Sequence, residues 1–222
     1  MKVLAIDTAT PHIVTGIVDI TANDLTEVAG VSRDGATSHA EVLTPAVRSV
    51  CEQAGVTLAS LDGIVVGLGP GPFTGLRVGI VTAAALGDAL GLPVWGVCSL
   101  DAMAPAAGRA LVVTDARRKE LYYAIYDDGV RRGEPSVDRP DAVMAAAGAV
   151  DGIVHAGAEK YLSLLGSAQE RFPTPESLVR VAVQQGLVGA GSTALQPIYI
   201  RRPDAAEPKQ PMPLDVTGPR GE

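Results

Sequence analysis

Apolar residues fall along this chain in short runs of strand length that alternate with longer stretches of helical period. Residues 3–6, 13–20 and 27–33 read as strands joined by tight connections, the antiparallel start of a sheet. Val42, Leu43, Ala46, Val47, Val50, Cys51 and Ala54 then recur at helical spacing, and Gly55 supplies the stop. Ser38-His39-Ala40-Glu41 ahead of them has the form of a capping box. Pro45 inside the stretch removes one backbone bond and predicts a kink. Residues 64–68 are unbroken apolar, as in a strand buried on both faces. A Gly-Pro-Gly-Pro-Phe-Thr-Gly loop follows at 69–75, then a helix that Gly91 and Pro93 terminate. Residues 93–97 read as another strand, and Ser99 is placed to cap a further helix.

The second half predicts strands over 110–114, 121–126 and 152–156, with Asp128-Gly129 as a hairpin turn. Helices are expected over 141–147, 158–165 and 176–188, and residues 195–201 close the fold. No tandem repeat is visible, but each half opens with a strand that ends in an aspartate at a turn, Asp7 and Asp115. From residue 203 onward Pro, Gly and charge dominate, so 203–222 is expected to be a disordered tail.

Composition sharpens this α/β reading. Hydrophobic residues make up 47% and aromatics 4%, so the core is built of small side chains whose elements approach closely. The net charge of −7 disfavours a chain that grips nucleic acid alone, since phosphate neutralisation supplies most of that affinity. Its basic clusters, Arg117-Arg118-Lys119, Arg131-Arg132 and Arg201-Arg202, are short. Cys51 and Cys98 sit among apolar residues without C-x-x-C spacing and read as buried free thiols of a reducing compartment. Met1 leads directly into a strand-like segment, so no signal peptide is expected. The apolar run over 78–86 falls short of the roughly 20 residues of a membrane span, and a cytoplasmic protein is expected.

A strand, a glycine loop and a helix together can hold an anion, because free amides point outward at a helix N-terminus. Here the loop lacks the Gly-Lys-Ser/Thr ending of a P-loop, and Pro70 and Pro72 remove two amides. The alternative is a turn that packs the helix hard against the sheet. Gly75, Gly79, Ala83 and Gly87 place a stripe of small residues on one helix face. Each glycine costs about 1 kcal/mol in a helix interior, so the stripe calls for close approach of a neighbour, within the chain or from a partner. Asp7-Thr8-Ala9-Thr10 reads either as a phosphate or magnesium turn or as a capped turn. His12, His39 and His155 show no paired spacing, so no metal site is expected, and no Gly-x-Ser-x-Gly elbow occurs. Asp115, Arg117 and Glu120 form a compact polar group best read as structural ion pairing.

Residues 69–79, Gly-Pro-Gly-Pro-Phe-Thr-Gly-Leu-Arg-Val-Gly, resemble the signature of the bacterial TsaB (YeaZ) family. Ile6-Asp7-Thr8, Ser38-His39-Ala40-Glu41, Ser99-Leu100, Asp115-Ala116-Arg117 with Glu120 and Tyr122, and Pro197-Ile198-Tyr199-Ile200-Arg201 extend the resemblance over almost the whole chain. Pro72 departs from the pattern, which has serine there, and removes a hydroxyl and an amide from the loop. The resemblance implies an actin-like ATPase (ASKHA, ribonuclease H-like) fold of two related lobes, 1–100 and a reduced 101–202. It implies a non-catalytic scaffold or dimerisation subunit of the complex that makes N6-threonylcarbamoyladenosine at position 37 of tRNA. The partners would be the catalytic paralogue TsaD, which carries the histidine-held metal, and the ATPase TsaE. tRNA would be met through the complex, ATP used by the complex and not held tightly by this chain, and no membrane involved. Free chain is expected to be able to form a homodimer through the same helices. The implied interface comprises Leu43, Val47, Val50, Gly75, Arg77, Val78, Gly79, Val81 and Ala85. Weaker candidates for nucleotide contact are Asp7, Thr8, Gly69, Gly71 and Thr74. The competing readings are a stand-alone ATP-dependent phosphotransferase of the same fold and, without a His-Glu-x-x-His motif, a less favoured metalloprotease.

Overall fold

The computed structural model describes residues 1–22, 24–34 and 39–200. Ser38 of the expected capping box and the expected tail lie outside the described residues, as does Arg201. The strands β1 (Lys2–Asp7), β2 (His12–Ile20) and β3 (Leu25–Asp34) form an antiparallel meander. Helix α1 (His39–Ala54) leads to β4 (Gly63–Gly67), and α2 (Phe73–Leu90) to β5 (Val94–Val97). Both of these strands join in parallel, giving the sheet order β3-β2-β1-β4-β5.

The same sequence of events then recurs. Strands β6 (Arg109–Asp115), β7 (Leu121–Asp127) and β8 (Val130–Asp138) pair antiparallel. Helix α3 (Pro140–Ala147), β9 (Gly152–Ala156), α4 (Leu162–Leu165) and β10 (Ala168–Glu170) follow, and the order is β8-β7-β6-β9-β10. Two sheets of identical topology are the duplicated actin-like layout. The second copy is reduced: α3 has 8 residues and α4 has 4, against 16 in α1 and 18 in α2. Asp7 and Asp115 end the equivalent strands β1 and β6.

Local chemistry explains most element ends. Asp128 and Gly129 both adopt positive φ, 49° and 76°, as the two-residue turn between β7 and β8 requires. Gly91 caps α2 in the left-handed conformation at φ 66°. Helix α1 runs through Pro45 as one helix, with that residue on its exposed side. The expected helix over 158–165 is a 3-10 turn at Glu159–Tyr161 followed by the short α4.

Helix α5 (Pro175–Gln184) is shorter than expected and starts from a reciprocal Thr174–Ser177 cap. A boundary at residue 100 would assign it to the second lobe, yet it packs on the first sheet. Leu178, Val179, Val181 and Ala182 close over Val3, Ala5, Val18, Val65 and Trp95. Helices α1 and α2 cover the opposite face, where Leu43, Val47, Val50, Leu76, Ile80 and Ala83 meet Leu4, Ile6, Ile64 and Val66. Beyond α5 the chain stays with this sheet, since Thr193 N donates to Val94 O at 2.9 Å and Ile198 N to Leu68 O at 2.8 Å.

Candidate functional site

The expected nucleotide residues meet where β1 ends against the loop that leads into α2, and they bond to one another. Both carboxylate oxygens of the fully buried Asp7 are engaged: Ala9 N donates to Oδ1 at 2.9 Å, and the Ser99 hydroxyl donates to Oδ2. Ser99 Oγ also accepts from Gly69 N at 3.1 Å, so it ties the glycine loop to β1. It caps no helix, contrary to expectation, because these two partners take up its hydroxyl. Burial pushes the Asp7 carboxyl up to about 6, against the opposing effect of the Ser99 and Ala9 bonds.

At this turn the loop packs backbone against backbone. A Cβ at Gly71 would stand 2.1 Å from the Ala9 carbonyl oxygen, so the two backbones are in direct contact. Thr8 Oγ1 donates to Gly75 O at 2.8 Å and accepts from Gly79 N at 3.0 Å, which pins the first turns of α2 to β1. Of the five residues, Asp7, Thr8, Gly69 and Gly71 form this closed junction, while Thr74 lies exposed on the first turn of α2. The arrangement fits a structural clamp, since the side-chain oxygens of Asp7, Thr8 and Ser99 are paired within the chain.

The stripe of small residues has an internal explanation. A Cβ at Gly79 would meet Thr8 Oγ1 at 2.4 Å, and one at Gly87 would meet the Val94 side chain at 2.3 Å. Ala83 is fully buried in the core between the helices and the sheet. The expectation that Gly75 and Gly79 face a partner is therefore corrected: both are buried against β1. Leu43, Val47 and Val50 are corrected likewise, being 1%, 3% and 0% exposed within the same core. Their helical spacing marks a face buried in the chain itself, and spacing does not distinguish that from a face buried in a partner.

Arg77, Val81 and Ala85 remain exposed on α2, with Val78 half-buried beside them. Val81 is 63% exposed, a large apolar side chain in the middle of a helix turned to solvent. Phe73–Leu90 has the length and apolarity of a membrane-crossing helix, but its Gly75-Leu76-Gly79-Ile80-Ala83-Gly87 side is packed on the sheet. At its N-terminal end Arg77 Nε donates to the Tyr199 hydroxyl at 2.9 Å. The same guanidinium lies 3.8 Å from the centre of the Phe73 ring, which stacks on Tyr199 at 5.3 Å. Sequence reasoning named Arg77 and the segment that carries Tyr199 but did not join them.

Asp115 finds its ionic partner outside the Asp115-Arg117-Glu120 group, in Lys160. Its carboxylate accepts from Arg117 N at 3.0 Å, pairs with Lys160 Nζ at 2.9 Å and accepts the Tyr161 hydroxyl at 3.3 Å. Cys51 and Cys98 are buried free thiols, as expected.

The sequence profile of the family described as TsaD, tRNA N6-adenosine threonylcarbamoyltransferase, matches residues 19–197. A protein of Mycobacterium tuberculosis is 47% identical over 91% of this chain and 93% of its own length. The tRNA threonylcarbamoyladenosine biosynthesis protein TsaB of Escherichia coli is 29% identical over 90% of this chain and 95% of its own. The solved structure of YeaZ from Pseudomonas aeruginosa superposes with a TM-score of 0.72 at 27% identity, covering 89% of this chain and 99% of that one. A duplicated sheet, a glycine loop clamped to the first strand and these similarities converge, and the chain belongs to the TsaD family of tRNA N6-adenosine threonylcarbamoyltransferases, among its TsaB (YeaZ) proteins.

Proposed function

We propose that this chain is a non-catalytic subunit in the biosynthesis of N6-threonylcarbamoyladenosine at position 37 of tRNA, pairing with the catalytic paralogue TsaD and supporting attachment of the ATPase TsaE. The observation that carries the pairing is the exposed face of α2. One side of this helix is locked to β1 through Thr8, and the other presents Val78, Val81 and Ala85 beside the ordered Arg77. A rigid helix with an apolar outer face suits helix-against-helix docking, because ordering it on binding costs little. A paralogue with the same duplicated fold offers an equivalent helix, and a second copy of this chain offers the identical one, so free chain can form a homodimer.

The non-catalytic part rests on the junction at Asp7. The side-chain oxygens of Asp7 and Thr8 hold neighbours within the chain, which supports a structural part for both. ATP is then consumed elsewhere in the complex, and the net charge of −7 leaves most tRNA contact to the partners. The work takes place in the cytoplasm, with tRNA. Reconstitution tests this: tRNA modification by TsaD and TsaE is measured with and without the chain. Activity that requires the chain is expected. Full activity without it overturns the scaffold reading.

A further inference from the structure

At the far edge of the second sheet, His155 on β9 and Glu170 on β10 occupy paired positions of adjacent parallel strands. Glu159 opens the turn that follows β9. A ring nitrogen of His155 and one carboxylate oxygen from each glutamate lie within 4.8 Å of one another. His155 is only 3% exposed, and its Nδ1 is buried without a hydrogen-bond partner. Such an orphaned buried nitrogen is uncommon and calls for a ligand.

Among the described residues neither glutamate carboxylate is held by an ion pair or hydrogen bond. The neighbouring cations are engaged elsewhere. Arg171 donates to the Met103 carbonyl at 3.4 Å and to Gln169 Oε1 at 3.3 Å, and Lys160 pairs with Asp115 at 2.9 Å. Two carboxylates therefore converge on a buried imidazole with no protein cation between them. The position, at the C-terminal ends of two parallel strands, is where open α/β sheets place ligands.

We propose that His155, Glu159 and Glu170 form a binding site for a divalent transition-metal ion of the zinc or manganese class. One imidazole nitrogen with two carboxylate oxygens suits such ions, whereas magnesium and calcium prefer oxygen alone. The ion would leave a coordination position for water and would tie the three-residue edge strand β10 to β9 and to the turn at Glu159. No paired histidines announce this site in the sequence. Its only local trace is the four-residue interval from His155 to Glu159, and strand pairing supplies the third ligand. It uses none of the residues assigned to partner docking.

The test is titration of the purified, chelator-treated full chain with Zn2+ by calorimetry, with Co2+ absorption as a second probe. Expected is one Zn2+ per chain, little competition from Mg2+, and a rise in thermal midpoint when Zn2+ is added. The Glu159→Gln/Glu170→Gln double variant changes only exposed side chains and should fold, as circular dichroism would verify. It should bind Zn2+ at least tenfold more weakly, and His155→Gln should lose the Co2+ spectrum of an imidazole-bound ion. Absence of stoichiometric binding, or wild-type affinity in the double variant, overturns the proposal.

Discussion

The Thr8 hydroxyl accepts the Gly79 amide at 3.0 Å, and a Cβ added at residue 79 would stand 2.4 Å from that same oxygen. One contact thus explains both why a threonine follows β1 and why α2 carries a glycine two turns in. Gly79→Ala is expected to destabilise the chain by about 1–3 kcal/mol through overpacking. Thr8→Ala removes the oxygen that the new methyl would strike. In that background the cost of Gly79→Ala should fall by about 1 kcal/mol or more, a coupling that urea denaturation of the four proteins in a double-mutant cycle measures. Additive losses would mean that the glycine answers to another neighbour.

Asp7 should make stability depend on pH. Its folded value of about 6 lies above the ordinary 3.8, so the native state keeps a proton that the unfolded chain releases. The stability linked to that proton is complete below pH about 4 and is lost as pH rises through about 6. At pH 8 the loss is about 3 kcal/mol. Asp7→Asn retains an acceptor for Ala9 N and carries no charge, while giving up the acceptor of the Ser99 hydroxyl at every pH alike. Its stability relative to wild type should therefore climb between pH 4 and pH 8, as read from urea midpoints. A flat difference would show that the carboxyl is not held in a desolvated site.

The thiols should be inert. Burial, with Asp101 nearby, pushes Cys98 up to about 12, and burial also raises Cys51. Since the thiolate is the reactive form, a disulfide reagent at pH 8 should label neither cysteine in native protein and both in guanidinium. Fast labelling of the native chain would contradict their placement in the core.

What the sequence made legible was local. The apolar run over 64–68, the Gly91 stop and the Asp128-Gly129 turn each depend on residues a few positions apart, and each became the element expected. The misplacements are long-range. Ser99 reads as a helix cap until its partner Asp7, 92 residues away, is brought beside it. Arg77 finds Tyr199 across 122 residues. The stripe from Gly75 to Gly87 announced a close neighbour, but its pattern is the same for a neighbour in the chain and one outside it, and the neighbours proved to be Thr8 and Val94. Leu43, Val47 and Val50 carried the same ambiguity, and β10, only three residues long, is too brief to show a period.

That correction makes a distinction between two sets of helix residues. Leu43→Ala should cost about 2–5 kcal/mol of stability, as a cavity in the core between α1 and the sheet, and should weaken partner binding only as far as the fold is lost. Thermal unfolding and a binding assay on the same sample separate the two effects. Weakened binding by a fully stable Leu43→Ala protein would return that residue to the interface.

Val81→Asp is the converse and probes the proposed docking face of α2 itself. Val81 is 63% exposed, so the substitution should alter stability by no more than about 0.5 kcal/mol. A charge buried at the middle of a helix interface should cost about 2 kcal/mol or more, roughly a thirtyfold rise in Kd. The measurement is the Kd of the purified chain for TsaD by calorimetry, wild type against Val81→Asp, with unfolding curves recorded alongside. A folded variant that has lost at least that much affinity is expected. Wild-type affinity in a folded Val81→Asp protein would contradict the proposed docking face.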